Sequence, residues 1–113
     1  MIAIIGYLDV DPAVRDRLVE STAELQQATA RDEPGCLTYT MSADPARPGR
    51  ISIVELWDSA EALESHFQHP NFHATGAALR AEPRVGGSVM KYHIDQTAPV
   101  RGDDGLATAA FGS

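Results

Sequence analysis

Four residues in the middle of the chain have the chemistry of acids, bases and aromatic walls: Tyr39, Glu55, Trp57 and His66. Glu55 and Trp57 are two residues apart, so on a strand they point to the same face. A carboxylate among apolar neighbours has a raised pKa unless a positive charge pairs with it. The imidazole of His66 could project between a helix and a sheet and accept a proton, and the phenol of Tyr39 could donate a hydrogen bond to a bound oxygen atom. Together, these four side chains indicate a pocket.

Each of these residues also has a structural interpretation. Glu55 could be a strand-end acid paired with a Lys or Arg, and Trp57 could be an ordinary core residue. His66 borders the apolar stripe of its helix and could lie at the surface with no role. The sequence leaves these alternatives open.

A metal site and a nucleotide site are not expected. His66, His69 and His73 have suggestive spacings, but Pro70 interrupts the helical register, so the three need not share a face. Cys36 has no basic neighbour in sequence, which favours an inert, buried thiol. The chain has no glycine-rich dinucleotide motif, P-loop, nucleophile elbow or CxxC. We therefore expect no bound metal and no nucleotide-derived cofactor.

The elements that must position these residues follow from periodicity and punctuation. Asp11-Pro12 is typical of a helix start, Pro34-Gly35 of a helix end, and Pro70 interrupts the second helical region. The order β-α-β-β-α-β is the split βαβ, ferredoxin-like arrangement: an α+β fold with an antiparallel sheet and two helices on one face. The predicted strands are 2–8, 36–42, 51–57 and 88–94, and the predicted helices are 12–31 and, after a cap at Asp58 or Ser59, two pieces of which the second is 71–81.

The third strand is apolar on both sides. Ile51 and Ile53 point one way, and Val54 and Leu56 point the other way. A strand that is apolar on both sides is buried on both sides, yet two helices cover only one face of a sheet. We therefore expect a second copy of the chain on the other face, which makes the protein a homodimer packed sheet against sheet.

Composition restricts the class of protein. The chain has 113 residues, 43% of them hydrophobic, and a net charge of −7, which fits one folded domain and argues against nucleic acid or an anionic membrane as partner. No apolar run is long enough for a membrane helix, and the N-terminus lacks the features of a signal peptide. One cysteine suits a reducing compartment, so we expect the cytoplasm. We assign residues 1–96 to the domain and residues 97–113 to a flexible tail or dimer arm.

Over residues 1–95 the sequence resembles the antibiotic biosynthesis monooxygenase domain, and within it the quinol monooxygenase branch. The resemblance implies a dimeric α+β barrel in which two ferredoxin-like sheets pack together and each subunit holds a pocket between its sheet and its helices. The residues that carry it are Glu33-Pro34-Gly35-Cys36, Tyr39, Glu55, Trp57, Ser59, Leu63, His66, Pro70 and Phe72.

The resemblance implies a monooxygenase that oxidises an electron-rich phenol, hydroquinone or polyketide-like aromatic with molecular oxygen and without a cofactor. His66 is expected to accept the phenolic proton, and Tyr39 to protonate a peroxide intermediate. The alternative is a non-catalytic small-molecule binding or accessory protein of the same superfamily. The residues expected to contact the substrate are Trp57, Glu55, Phe67, Phe72 and Tyr7.

The chain departs from the family pattern at several positions. Asn71 stands where the family often has His after the proline. The first strand has Gly6 and Tyr7 instead of the Asn of haem-degrading members, so haem degradation is not expected. Ile53 and Ala77 stand where polyketide-oxidising members have Asn and Arg, which favours the binding-protein alternative.

Overall fold

The computed structural model describes residues 1–112. The elements are β1 (Ile2–Val10), α1 (Pro12–Ser21), α2 (Ala23–Asp32), β2 (Cys36–Ala43), β3 (Arg50–Trp57), α3 (Ala60–Gln68), α4 (Pro70–Leu79) and β4 (Arg84–His93). The four strands form one antiparallel sheet in the order β2-β3-β1-β4, which confirms the predicted ferredoxin-like α+β fold. Within the described residues, no helix is both long and apolar enough to cross a membrane.

Side-chain caps set where three of the helices begin. Asp11 accepts a hydrogen bond from the Ala13 amide at 2.8 Å at the start of α1. Ser59, and not Asp58, caps α3 by accepting from the amide of Ala62 at 3.1 Å. At the start of α4, Nδ1 of His69 accepts from the amide of Asn71 at 3.0 Å. Each cap satisfies a backbone N–H that has no partner within its helix.

The predicted helix 12–31 is interrupted at Thr22. The hydroxyl of Thr22 donates to the carbonyl of Val19 at 2.7 Å, and its amide bonds the same carbonyl at 3.1 Å. The amide hydrogen bond to the carbonyl three residues earlier is a 3₁₀-type bond, which tightens the turn where α1 ends and α2 begins. In α2, the amide group of Gln26 donates to the carbonyl of Met41 at 3.0 Å and accepts from its N–H at 2.9 Å. This pair of bonds fixes α2 against the outer edge of β2.

A β-bulge changes the predicted faces of β2. The alternation predicts Leu37, Tyr39 and Met41 on one face, but the pairing of β2 with β3 shifts between Cys36 and Thr38. The extra residue places Leu37 out of that face, with 52% of its surface exposed, while Tyr39 and Met41 are buried. A bulge inserts one unpaired residue and therefore resets the two-residue period.

The two faces of the sheet have different surroundings. On the helix side, Ile51, Ile53 and Trp57 are buried in the core. On the opposite face, hereafter the outer face, four large apolar side chains are 44–56% exposed in the single chain: Ile5, Val54, Met90 and Tyr92. The predicted two-sided pattern of the sheet is therefore present, and the second subunit that would cover the outer face stays a prediction.

The segment after β4 makes few contacts with the rest of the chain. Arg101 and Ala107 form an isolated antiparallel bridge, and the Arg101 guanidinium donates to the carbonyl of Gly105 at 2.9 Å. Val100, Leu106 and Phe111, three apolar residues of this segment, are 73%, 66% and 59% exposed. A role as a dimer arm remains a prediction for this tail, whose last residue, Ser113, lies outside the described residues.

Candidate active site

A cavity of about 520 Å³ lies between the helix side of the sheet and helix α4. This volume is in the range of pockets that hold small organic ligands. Its walls are mostly aliphatic and aromatic, and its polar residues come from the floor and one rim. The lining includes Tyr39, Glu55, Phe67, Phe72, Thr75, Gly76, Arg80, Arg84 and Lys91.

The floor is a row of cross-strand neighbours. Tyr39 of β2 pairs with Glu55 of β3, Glu55 pairs with Ile4 of β1, and Ile4 pairs with Lys91 of β4. Paired residues on adjacent strands point to the same face, so one row carries a phenol, a carboxylate, an aliphatic side chain and an ammonium group. In the next row β1 contributes Gly6, where a Cβ would lie 2.3 Å from the carbonyl oxygen of Ser88. Only glycine permits this close approach of β1 and β4.

Helix α4 forms the roof. Phe72, Thr75, Gly76 and Leu79 are spaced at three, four and seven residues, which is one face of a helix, and all four line the cavity. Phe67 of α3 extends the roof, with its ring centroid 5.1 Å from that of Phe72. The arrangement gives the cavity an aromatic end above the floor.

Glu55 presents a buried carboxylate to this cavity. Its Oε1 accepts a hydrogen bond from Nε1 of Trp57 at 3.0 Å. Burial raises the pKa of Glu55, and the hydrogen bond from Trp57 and the nearby His66 oppose that rise. Within residues 1–112 no Lys or Arg pairs with it, so the ion-paired alternative is not realised. A carboxylate of raised pKa is a stronger base than an exposed one, so it is suited to accept a proton from a ligand and to return it.

Tyr39 presents a protonated phenol beside Glu55. Burial raises the pKa of Tyr39 well above its ordinary value, and the negative charge of Glu55 adds to the rise. The hydroxyl therefore keeps its hydrogen at physiological pH and can donate it to a bound oxygen atom.

His66 is buried behind the cavity wall and is not among the lining residues. It is 1% exposed, which removes the surface-edge interpretation. Its ring lies 4.6 Å from that of Trp57, and it contacts the lining residues Tyr39 and Phe72 edge to face at 5.4 and 5.2 Å. Trp57 is likewise fully buried, as the core alternative described, and reaches the cavity through its bond to Glu55.

A second buried carboxylate, Glu33, holds His66 in place. Nδ1 of His66 lies 2.8 Å from Oε1 of Glu33, and the Asn71 side-chain amide donates to Oε2 at 3.2 Å. A carboxylate oxygen only accepts, so the hydrogen of the pair lies on Nδ1.

Tyr7 lies apart from this site. It points to the outer face, because the neighbouring Leu8 points into the core. The guanidinium of Arg50 stacks on its ring at 3.5 Å and donates to both carboxylate oxygens of Asp9 at 2.9 and 3.0 Å. The sequence suggested Tyr7 as a substrate contact, but the parity of β1 places it on the opposite side of the sheet.

The remaining candidate residues have contacts typical of structural residues. No group of three or more His, Cys, Asp and Glu side chains in the described part of the chain is arranged to hold a metal ion. His69 caps α4. Burial raises the pKa of Cys36 to about 11, which fits the predicted inert thiol.

Sequence reasoning did not identify every residue of the site. Glu33 and Asn71 appeared in the motif comparison but were not expected in the site, since they meet His66 only through the tertiary fold. The helical spacing from Phe72 could have identified Thr75. Nothing in the sequence pattern marks the rim residues Arg80, Arg84 and Lys91.

Known proteins match both the sequence and the fold. Residues 1–78 match the family described as antibiotic biosynthesis monooxygenase. A similar crystal structure, of a proposed antibiotic biosynthesis monooxygenase from Deinococcus radiodurans, is 26% identical with a TM-score of 0.78, and the match covers 90% of this chain and all (100%) of that one. A second such protein, from Caulobacter crescentus, is 25% identical with a TM-score of 0.76, and the match covers 84% of this chain and 90% of that one.

Two further relatives extend the comparison. The structure of Rv0793 from Mycobacterium tuberculosis has a TM-score of 0.72 at 21% identity, covers 87% of this chain and 98% of that one, and shares the fold. An uncharacterized protein from Synechocystis is 29% identical over 72 residues, which are 64% of this chain. The matched region spans about half (48%) of that relative's length.

Proposed function

This chain belongs to the antibiotic biosynthesis monooxygenase family, and we propose that it uses molecular oxygen to oxidise a small electron-rich phenol, hydroquinone or polyketide-like aromatic. The observation that carries the proposal is the cavity. Its aromatic roof lies above a floor in which Glu55 and Tyr39 are neighbours on adjacent strands. A flat, hydroxylated ring fits between these surfaces. The pair can take a proton from such a ring and donate a hydrogen bond to an oxygen bound to it.

In the proposed reaction, Glu55 removes the phenolic proton. The anion transfers one electron to O2, and the resulting radical and superoxide combine to form a carbon–oxygen bond. Glu55 returns its proton to the peroxide, and Tyr39 donates a hydrogen bond to the same group. The carbon that bears the peroxide then loses its hydrogen as a proton, and the O–O bond breaks with departure of hydroxide. Proton and hydroxide form water, and the carbon becomes a quinone carbonyl.

The reaction balances without another reductant, because the substrate supplies all four electrons that reduce O2 to the product oxygen and water. We therefore propose that the enzyme needs no cofactor. The chain's contribution is to hold the anion and oxygen together away from bulk water.

His66 is proposed as a positioning residue. The sequence suggested that it accepts the phenolic proton itself, but it lies behind the lining residues, and its ring packs on Trp57, which donates to Glu55. It would act by fixing the orientation of Trp57, whose indole N–H donates to Glu55.

The position of His66 behind the wall also favours a second candidate, a binding protein without turnover. The same cavity would then hold an aromatic ligand and release it unchanged. A fold supports either role.

Oxygen uptake with a panel of hydroquinones and anthrones tests the proposal. Glu55→Gln is expected to lower the rate by about 10²- to 10⁴-fold, the contribution of a general base. Tyr39→Phe is expected to lower it as well, whereas Tyr92→Phe, on the outer face, should leave it unchanged. Absence of uptake with every substrate, together with tight binding of the same compounds, would support the binding protein instead.

A separate readout tests the role of His66. His66→Ala is expected to shift the pH profile of the rate, because it changes the surroundings of Glu55. A lower rate with an unchanged pH profile would contradict the positioning role and leave His66 a packing residue.

A further inference from the structure

The unassigned part of the cavity is its cationic rim, which consists of Arg80, Arg84 and Lys91. The protein has nine Lys and Arg residues against 16 Asp and Glu and a net charge of −7. A cluster of cations around one cavity is therefore unusual in this molecule, since most of its surface repels anions.

The rim cations form no ion pair with a carboxylate of the described residues. Within residues 1–112, four arginines pair with a carboxylate, and none of the three rim cations does. Glu82, which lies between Arg80 and Arg84 in sequence, pairs with Arg17 at 3.2 Å. The acid closest in sequence to the rim is thus paired with a cation from α1.

The fold places these cations on the cavity from two elements. Arg80 follows the last residue of α4, and its Nη1 lies 2.9 Å from the point where a Cβ would stand on Gly76. The absence of a side chain at Gly76 thus leaves room for the guanidinium against α4. Arg84 begins β4, and Lys91 lies in the floor row on β4, beyond Ile4.

The floor row separates opposite charges across the cavity. Glu55 and Lys91 are on β3 and β4, with β1 between them. Strands are about 4.8 Å apart, so the backbones of these two residues are about 10 Å apart. A two-ring aromatic acid can place its phenol beside Glu55 and Tyr39 and its acid group beside Lys91.

We propose that the substrate of this cavity is an aromatic phenol that carries an acidic group, such as a carboxylate, at the end remote from the reacting hydroxyl, and that Arg80, Arg84 and Lys91 select it. The inference rests on the proposed function for the reacting end of the molecule. It adds the chemistry of the other end, since a neutral hydroquinone would leave the rim cations without a partner.

Binding measured by calorimetry without oxygen tests this inference separately from turnover. The two probes are a naphthol that carries a carboxylate on its far ring (a hydroxynaphthoate) and the unsubstituted naphthol. The wild-type protein is expected to bind the hydroxynaphthoate more tightly, and added salt should reduce the difference. Arg80→Gln, Arg84→Gln and Lys91→Gln should each weaken binding of the hydroxynaphthoate by about two- to five-fold and leave binding of naphthol unchanged.

Arg47→Gln is the matched control, because Arg47 is another exposed arginine without a carboxylate partner among the described residues, and it lies outside the cavity. Equal affinity of the wild-type protein for the two probes would overturn the inference. An equal loss of hydroxynaphthoate binding in the Arg47 variant would do the same, because the effect would then be one of overall charge. Failure of the proposed reaction would appear differently, as anion-selective binding with no oxygen uptake.

Discussion

Two buried carboxylates have different partners at the centre of this protein. Glu33 accepts from His66 and from the amide of Asn71, whereas Glu55 accepts from the indole N–H of Trp57 and faces the cavity. The first is enclosed by hydrogen-bond donors, and the second has room for a ligand. This difference supports a structural role for Glu33 and the chemical role that we propose for Glu55.

Removal of the Glu33 carboxylate is expected to destabilise the fold. Glu33→Ala leaves the Nδ1–H of the buried His66 without an acceptor, which costs about 1–3 kcal/mol. The free energy of unfolding in urea measures this loss. Asp32→Ala, which removes an exposed acid paired with Arg31, should cause no measurable change. An equal loss in both variants would show that the pair with His66 adds nothing to stability.

The Glu55 carboxylate is expected to make stability depend on pH. Burial raises its pKa above the ordinary value of 4.5, so the folded protein holds this proton more tightly than the unfolded chain. The resulting stabilisation is fully present below the ordinary pKa and is lost as pH rises through the raised pKa. Glu55→Gln cannot ionise, and its carbonyl oxygen can still accept from Trp57.

Urea midpoints measured over a pH series should therefore show the wild-type protein losing stability relative to Glu55→Gln as pH increases. Glu64→Gln, at an exposed position of α3, should follow the wild-type curve. A constant difference between wild type and Glu55→Gln at every pH would contradict the prediction.

Among single residues, the sequence identified those whose side chains alternate predictably along a strand. Glu55 and Tyr39 are examples, because their parity follows from the neighbouring apolar residues. Glu33 could not be assigned to His66, since 33 residues separate them and only the packing of α2 and of α3 against α4 brings them together. Tyr7 was misplaced because both faces of β1 are apolar, so the pattern did not distinguish them.

At the scale of elements, the structure departs from the periodic pattern at a helix break and at a bulge. Thr22 keeps the apolar period of a single helix, yet its amide bonds the carbonyl of Val19 where α1 ends and α2 begins. Leu37 likewise fits an alternating strand but is the extra residue of a bulge. The order of elements was predictable from periodicity, whereas these interruptions depend on bonds that periodicity does not describe.

The cap of α3 gives a test at this scale, because α3 carries His66 and Phe67. Ser59→Ala removes the acceptor of the Ala62 amide and is expected to cost about 1 kcal/mol. Ser65→Ala, at an exposed position inside the same helix, should change the unfolding free energy by less than about 0.5 kcal/mol. Equal effects of the two substitutions would show that Ser59 does not act as a cap.

At the scale of the molecule, the outer face of the sheet is an apolar surface that the single chain leaves uncovered. Ile5, Val54, Met90 and Tyr92 share this face and are 44–56% exposed in the single chain. Full burial of a large apolar side chain is worth about 1.5–3 kcal/mol, so association with a second copy would be strongly favoured. We infer a homodimer that packs outer face to outer face.

Sedimentation of the wild-type protein should therefore show a dimer at micromolar concentration. Val54→Lys places an unpaired charge in the proposed interface, which costs about 3 kcal/mol and should weaken the dimer on the order of 100-fold. Ala30→Lys adds the same charge at an exposed position of α2 and should leave the dimer intact. A wild-type protein that sediments as a monomer would contradict the inferred assembly.

The single tryptophan of the chain also makes the site optically visible. Trp57 is fully buried, packs on the imidazole of His66 and donates its indole hydrogen to Glu55. All of the protein's indole fluorescence therefore originates at the wall of the cavity. Its emission wavelength and lifetime depend on the charge of Glu55 and His66, the two groups that touch the ring. Trp57 fluorescence can therefore report proton transfer at this wall, and no second tryptophan contributes to the signal.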